Sequence, residues 1–385
     1  PAGQRDQPLV NCRPLSFREE TVKPMRPADR FVAFLHGQPV DRPPLLEWGP
    51  WTTTRIRWQS EGLDGSGGLP YLNECDPLER TRSNLWMLPP EEEKILEEDE
   101  RSFLQVTSRG VVQRVLKPVG SAMPQHIRYP VSDRADWLAL KPRLRPDSGE
   151  RLGTDWAERC ARWRREGTTV VFEGNGRSPS LFGFIRELMG PERALTLFYD
   201  DPWLVEDMME TSMELTRAVL AKVLDDSPVH GLYFWEDMAY KTGPLISPAM
   251  FRRFMVPRYR RIVDYARSRG VSAIMVDSDG NIEQLIPCWL EAGLDGVFPL
   301  EVAAGMDVVS LRRRYGQSLK MMGGIDKRAL FYGRAEIDAE LRRVMPVVEG
   351  GGYIPTLDHN IPPDVPYANM LYYWEQKKRH LSWHS

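Results

Sequence analysis

Cysteine and histidine are scarce in this chain. Its 385 residues hold 4 cysteines and 6 histidines. Cys12, Cys75, Cys160 and Cys288 lie far apart and form no Cys-x-x-Cys pair. That spacing excludes a disulfide framework and a thiolate zinc cage, and a reducing cytoplasm is the expected compartment. Long apolar runs are also missing. None reaches the ~18–20 residues of a membrane-spanning helix, and the longest, such as Val271 to Val276, have strand length. The first fourteen residues, starting at Pro1, carry no apolar signal core, so secretion is not expected. Charge of one sign is not in excess. The net charge of −3 argues against a nucleic-acid binder. No Gly-x-Gly-x-x-Gly opens a helix after a strand, which counts against a dinucleotide-binding sheet.

What is present suits a soluble globular enzyme, with 42% hydrophobic and 27% charged residues. Residues 1–30 are irregular and rich in Pro and Arg, and read as an N-terminal extension. Pro27 to Gly37 reads as a short helix and its stop. Asp41 to Trp48 reads as a proline-led first strand. Residues 51–100 follow no regular pattern. Ser102 to Thr107 and Val111 to Leu116 flank Ser-Arg-Gly as a β-hairpin, and 130–165 look helical and charged. The span 51–165 is therefore expected to be a cap or insertion within one domain covering 1–385.

From residue 168 the rhythm becomes regular. Strands are expected at Thr168–Glu173, Gly231–Glu236, Val271–Asp277, Gly296–Glu301, Leu319–Gly324 and Gly352–Asp358. Amphipathic helices such as Pro248–Arg269, Ile282–Ala292 and Ile337–Val348 separate most of them. Strands apolar on both faces, alternating with helices, are the pattern of a parallel sheet covered by helices. With residues 44–48 the strands number seven, and an eighth is expected in the unread stretch. The fold class is α/β, a (β/α)8 TIM-type barrel.

Active sites of such barrels lie at the C-terminal ends of the strands. Here those ends read Glu47, Glu173, Glu236, Asp277, Glu301 and Asp358. The alternative for several of them is a helix N-cap or a solvated carboxylate. Asp277-Ser278-Asp279-Gly280 places a second acid two residues on, in a tight turn. His359 follows Asp358 at the last strand end, where it can ligate a metal, move a proton, or simply bond the backbone. Asp277, Asp279, Glu236 and His359 together would make an oxygen-rich site with one imidazole, suited to zinc, Mn²⁺ or Fe²⁺. Arg177, Lys241 and Lys327-Arg328 are candidates for holding a carboxylate or phosphate. Trp48, Trp51, Trp58 and Trp235 would line a flat pocket, or pack the cap onto the barrel.

Several ordered blocks are similar to the uroporphyrinogen decarboxylase superfamily. They are Gly243-Pro-Leu-Ile-Ser-Pro-Ala-Met-Phe251, Val256-Pro-Arg-Tyr259, Asp277-Ser-Asp-Gly280, Glu291-Ala-Gly-Leu-Asp-Gly296, Gly323-Gly-Ile-Asp326 and Ile361-Pro-Pro-Asp-Val-Pro-Tyr-Ala-Asn369. Arg30 to Pro44 resembles the family's opening helix and strand. The resemblance implies the barrel fold. The haem-pathway decarboxylases open with Arg-Gln-Ala-Gly-Arg, whereas this chain reads Leu45-Leu-Glu-Trp-Gly-Pro-Trp51. The methyltransferase branch carries His-x-Cys where this chain has Asp277-x-Asp279, and a late Cys where it has His359.

The resemblance implies a corrinoid-dependent methyltransferase, such as the first enzyme of an O-demethylase system. The methyl donor would be a small molecule, with an aryl methyl ether suiting the tryptophans. Asp277, His359 and Glu236 would hold a divalent metal, zinc first, acting as a Lewis acid. Asp279, Glu236 and Asp277 are the expected catalytic residues. Trp48, Glu47, Arg177, Lys241, Trp235 and Asp358 are the expected substrate contacts. The corrinoid (cobalamin) would arrive free or on a separate carrier protein, with no nucleic acid or membrane partner and a homodimer by analogy. The first alternative is a metal-free decarboxylase or lyase in which Asp277 or Asp279 is a general acid. The second is a non-catalytic binding member of the fold.

Overall fold

The computed structural model describes residues 23–65, 68–120, 122–147 and 151–381. Most of the expected 1–30 extension lies outside them. In chain order the strands are β1 (Leu78–Arg80), β2 (Lys94–Glu98), β3 (Ser102–Val106), β4 (Val112–Leu116), β5 (Gln125–Arg128), β6 (Thr169–Phe172) and β7 (Gly231–Trp235). After them come β8 (Ala239–Tyr240), β9 (Gly243–Pro244), β10 (Ala273–Asp277), β11 (Gly296–Phe298), β12 (Lys320–Met322) and β13 (Tyr353–Ile354).

Seven of these make one curled parallel sheet in the order β1-β6-β7-β10-β11-β12-β13. Its central strands are buried on both faces because helices cover the outside. The helix Val256–Ser268 shows why. Tyr259, Ile262, Val263 and Ala266 recur at helical spacing and are buried, while Pro257 opens its first turn. The expected helix 248–269 is thus two pieces, Pro248–Phe254 and Val256–Ser268. The register aligns Tyr233 with Met275, and Asp277 with both Trp235 and Phe298. These side chains share the inner face, where Phe298 packs on Tyr233 at 4.9 Å between ring centres.

The eighth position is taken by residues 43–50. This stretch is extended but is not a laddered strand. Pro43 and Pro44 have no N–H to give, which prevents a full ladder. It is bonded at both ends instead. Asp76 N–H donates to Leu45 O at 2.8 Å beside β1. Beyond β13, Trp51 N–H donates to Ile361 O at 3.0 Å and Ile361 N–H to Gly49 O at 3.2 Å. Asp76 in turn is gripped by Arg30 and Arg42 at 2.9 and 2.6 Å. The eighth strand expected in 51–100 is β1. It lies inside the expected 51–165 insertion, so the cap proper begins after it. The cap is the antiparallel sheet β2-β3-β4-β5, including the expected hairpin as β3 and β4.

A buried carboxylate holds this closure. Glu47 Oε1 accepts from Trp48 N at 3.0 Å and Leu357 N at 2.9 Å. Its Oε2 accepts from Tyr373 Oη at 2.6 Å and Lys377 Nζ at 2.8 Å. Both side chains of the Glu47–Lys377 pair are wholly shielded from solvent. Removing one partner of such a pair leaves an uncompensated buried charge, at a cost of about 3–5 kcal/mol. Lys377→Met is expected to lower the unfolding free energy by roughly that amount, read from guanidinium unfolding. A loss under about 1 kcal/mol, the scale of an exposed pair, would show that the pair does not hold the barrel closed.

Candidate active site

The Asp277–Gly280 turn builds the centre of the mouth. Gly280 sits at φ +83°, and a Cβ there would come within 2.4 Å of Ala239 O, so only glycine fits. Ser278 Oγ accepts from Met238 N at 3.1 Å. Asp279 N donates to Asp237 Oδ1 at 3.1 Å, and Gly280 N donates to Glu301 Oε2 at 3.0 Å. The turn lifts the Asp279 carboxylate to His359, whose Nε2 lies 3.4 Å from Asp279 Oδ2.

Three acids now crowd one place, and their proton affinities follow. Asp277 is pushed well above the ordinary carboxylate range, first by burial and then by the charges of Asp279, Asp237 and Glu173. Arg80 opposes this only in part. Burial and Asp279 raise Asp237, with Arg186 pulling the other way. The hydrogen bond to Asp279 raises His359 against burial. At the floor of the mouth, burial and neighbouring charge raise the proton affinity of Asp277, and the bond to Asp279 raises that of His359.

Arginines and an indole form one wall. Arg177 and Arg186 lie over the Trp235 ring at 5.1 and 4.7 Å. Trp235 in turn presses on Gly183, where a Cβ would meet the ring at 2.7 Å. Arg177 bonds Glu187 at 2.8 Å and Arg186 bonds Asp237 at 3.2 Å. From the cap, Arg109 reaches Glu187 at 3.0 Å and Gly176 O at 2.9 Å.

The structure thus pairs Asp279 with His359 and places Asp277 within reach of the Asp279 charge, with Trp235 and Arg177 on the adjoining wall. Lys241 stands exposed at the tip of the β8–β9 hairpin. Trp48 faces the interior, its indole fixed by a bond to Leu357 O at 2.8 Å. Three expectations need correction. Glu47 is enclosed in the pair with Lys377 and is not offered to substrate. Asp358 is fully buried and pins loops, accepting from Val302 N and Lys327 Nζ at 3.0 Å each. Glu236 points away from the mouth, because strand side chains alternate and Trp235 points in. Its carboxylate accepts from Ser180 Oγ at 3.1 Å, Leu181 N at 2.8 Å, Gly183 N at 2.9 Å and the Tyr259 hydroxyl.

With Glu236 occupied there, the expected metal set does not assemble. Among the described residues no three His, Cys, Asp or Glu side chains converge to hold an ion. The residues therefore do not fit zinc held by Asp277, His359 and Glu236. Asp237, Arg186, Arg109 and Arg80 went unnoticed in the sequence. Asp237 directly follows a strand-end acid, and that adjacency was the one signal available for it.

The family description "Uroporphyrinogen decarboxylase (URO-D)" matches residues 124–380, more than half of the chain. The chain belongs to that family. A uroporphyrinogen decarboxylase of Streptomyces coelicolor is 28% identical over 178 residues, covering 45% of this chain and 46% of that protein. One of Streptomyces griseus is 27% identical over 252 residues, covering 62% and 63%. The chain spans about half the length of the curated relatives it matches. Among solved structures, a methyltransferase from Methanosarcina mazei shares the fold with a TM-score of 0.57 at 14% identity, covering 92% of this chain and 99% of that one. No helix among the described residues is long and apolar enough to cross a membrane.

The His359–Asp279 pair can be tested by titration. In the wild type the His359 imidazole is expected to titrate above the ~6.5 of free histidine. Asp279→Asn should bring that midpoint down, read by NMR of the ring protons. An unchanged midpoint would mean that Asp279 does not charge His359.

Proposed function

We propose that this protein transfers a methyl group from the oxygen of a small methylated donor to a corrinoid acceptor carried by a separate protein. An aryl methyl ether is the donor class that suits the aromatic interior. The observation that carries the reading is the placement of Asp277 at the mouth of the barrel, at the end of β10 beside Trp235 and Phe298, where burial and the charges of Asp279, Asp237 and Glu173 raise its proton affinity. The Methanosarcina mazei neighbour is a methyltransferase, which supports the same reaction class.

When bound, the corrinoid supplies the electron pair that accepts the methyl carbon. The methyl–oxygen bond breaks, and its electron pair stays on the donor oxygen. That oxygen is a poor leaving group unless it gains a proton, and Asp277 delivers one. The resulting Asp277 carboxylate faces Asp279 and Asp237, whose charges favour its reprotonation. His359, held charged by Asp279, returns the proton. Trp235 with Arg177 and Arg186 forms a fixed wall that orients the donor. No step runs through a metal, because the expected ligands do not converge.

A second reading is decarboxylation, the activity that the curated relatives' name states. Arg80 and Arg82, whose charges act on Glu173 at the end of β6, favour it as anchors for a substrate carboxylate. Asp277 would then protonate carbon after CO₂ leaves. Incubation of candidate substrates, scored for demethylated product and for CO₂, separates the two.

Asp277→Asn is expected to lower kcat by about 10²–10⁴-fold for donors with a basic leaving oxygen. A nitro-activated aryl ether, whose leaving oxygen needs no proton, should lose far less. The wild-type rate should be full at low pH and fall as pH rises through the raised pKa of Asp277. Asp279→Asn removes a repelling charge and should move that fall to lower pH. Full turnover of both donor types by Asp277→Asn would overturn the reading.

A further inference from the structure

The barrel wall has a gap between the segment 43–50 and β1. Among the described residues one backbone bond joins the two, from Asp76 N to Leu45 O at 2.8 Å. Beyond it the ladder stops. β1 pairs with β6 through Pro77 O, which accepts from Thr169 N, and through Thr81 N, which donates to Val171 O. Main-chain groups alternate in direction along a strand, so those of Leu78 and Arg80 face the segment 43–50. Arg159 meets Arg80 O at 2.8 Å, and no main-chain group of 43–50 meets either residue. A cavity of about 450 Å³ lies at this gap. Leu46 and Trp48 line it on one side, Leu78 and Arg80 on the other. It runs from exposed Asn73 and Pro77 to Met322 and Thr356, buried in the interior. Asp277, Asp279 and His359 do not line it.

The lining limits what the cavity can hold. Its volume suits a ligand of one or two rings. Leu46, Leu78 and Met322 give it apolar walls. Trp48 is a rigid one, its indole N–H bonded to Leu357 O and its ring stacked on Phe298 at 6.2 Å. Three lining residues carry charge. The Glu47 side chain is wholly shielded and paired with Lys377, and Asp76 is buried between Arg30 and Arg42. Arg80 differs. Its side chain is 41% exposed, and among the described residues only Nη1 is engaged, by Glu173 at 3.1 Å. The charge offered to the cavity is therefore a guanidinium with N–H groups to spare. An ammonium would be repelled, and a dianion would exceed one guanidinium already shared with Glu173. A planar monoanionic carboxylate matches the fork. Going beyond the methyl-transfer reading and independent of it, we propose that this cavity binds a small aromatic carboxylate, with the carboxylate on Arg80 and the ring along Trp48. The ligand enters by the gap beside Asn73. Entry by the mouth would take the anion past the carboxylates of Asp279 and Asp237, which repel it.

The test is binding of 4-methoxybenzoate and 4-methoxybenzamide with no methyl acceptor present. No turnover occurs, so the result is the same whether or not the protein transfers methyl groups. The two rings match in shape and differ in charge. Calorimetry is expected to show the benzoate binding at least about ten-fold tighter, the effect of hydrogen bonds between charged groups. Arg80→Met should bring the benzoate down to the amide. Arg80→Lys keeps the charge but not the fork, and should keep only part of the preference. Asn73→Trp adds bulk at the outer end of the cavity. Followed by stopped-flow tryptophan fluorescence, it should slow association and dissociation by the same factor, at least about three-fold, and leave the affinity unchanged, because an obstructed entrance acts on both rates alike. No binding, equal affinity for the two rings, or a preference left intact by Arg80→Met would overturn the site, as would one left intact by Arg80→Lys should the methionine variant not fold. Unchanged rates in Asn73→Trp would overturn the entrance.

Discussion

One buried carboxylate organises the mouth. Glu47 accepts four hydrogen bonds, from Trp48 N, Leu357 N, Tyr373 Oη and Lys377 Nζ. A charge out of water is tolerable only when every lone pair is met, and here it is. The four donors come from three places: the segment 43–50, the loop after β13 and the helix Tyr367–Leu381. Holding Glu47 therefore sets the bearing of Trp48 on one side and of Asp358 and His359 on the other. It does the work of the backbone ladder that Pro43 and Pro44 forbid.

The barrel was legible because its strands and helices alternate over long stretches, from Thr169 to Ile354, and because acids mark the strand ends. Which acids face the mouth was less legible, and the reason is one of parity. Neighbouring residues on a strand point to opposite faces. Trp235 and Glu236 cannot both face inward, nor can Glu47 and Trp48 on the extended segment 43–50; the bend after β13 separates Asp358 from His359 in the same way. Each of these adjacent pairs is split, one member turned to the mouth and the other locked behind it. Asp277 and Asp279, two residues apart, share the site, as a period of two allows. The period of two, applied to each strand end, would have removed Glu236 from the metal set without any coordinates.

Other features depend on contacts that no local pattern records. β1 is three residues long, only half-buried, and set among arginines, so Leu78–Arg80 carries no strand signal. Arg80 meets Glu173, at 3.1 Å, only because β6 pairs beside β1. Arg109 lies at a cap turn and gains its place from Glu187 and Gly176, 78 and 67 residues further along. Its reach ties the cap to the loop after β6, so these two parts of the mouth form one mechanical unit.

The distance along the chain between Glu47 and Lys377 has a consequence for biosynthesis. The two residues are 330 positions apart. A ribosome releases the chain from its N-terminal side at ~5–20 residues per second. Residues 43–50 therefore leave the tunnel many seconds before the helix that neutralises Glu47. Through that interval the nascent sheet is an open arc with a charged, unpartnered carboxylate at its gap. That charge keeps the open edge hydrated until the helix arrives, so the mouth cannot be completed while the chain is still short of Lys377.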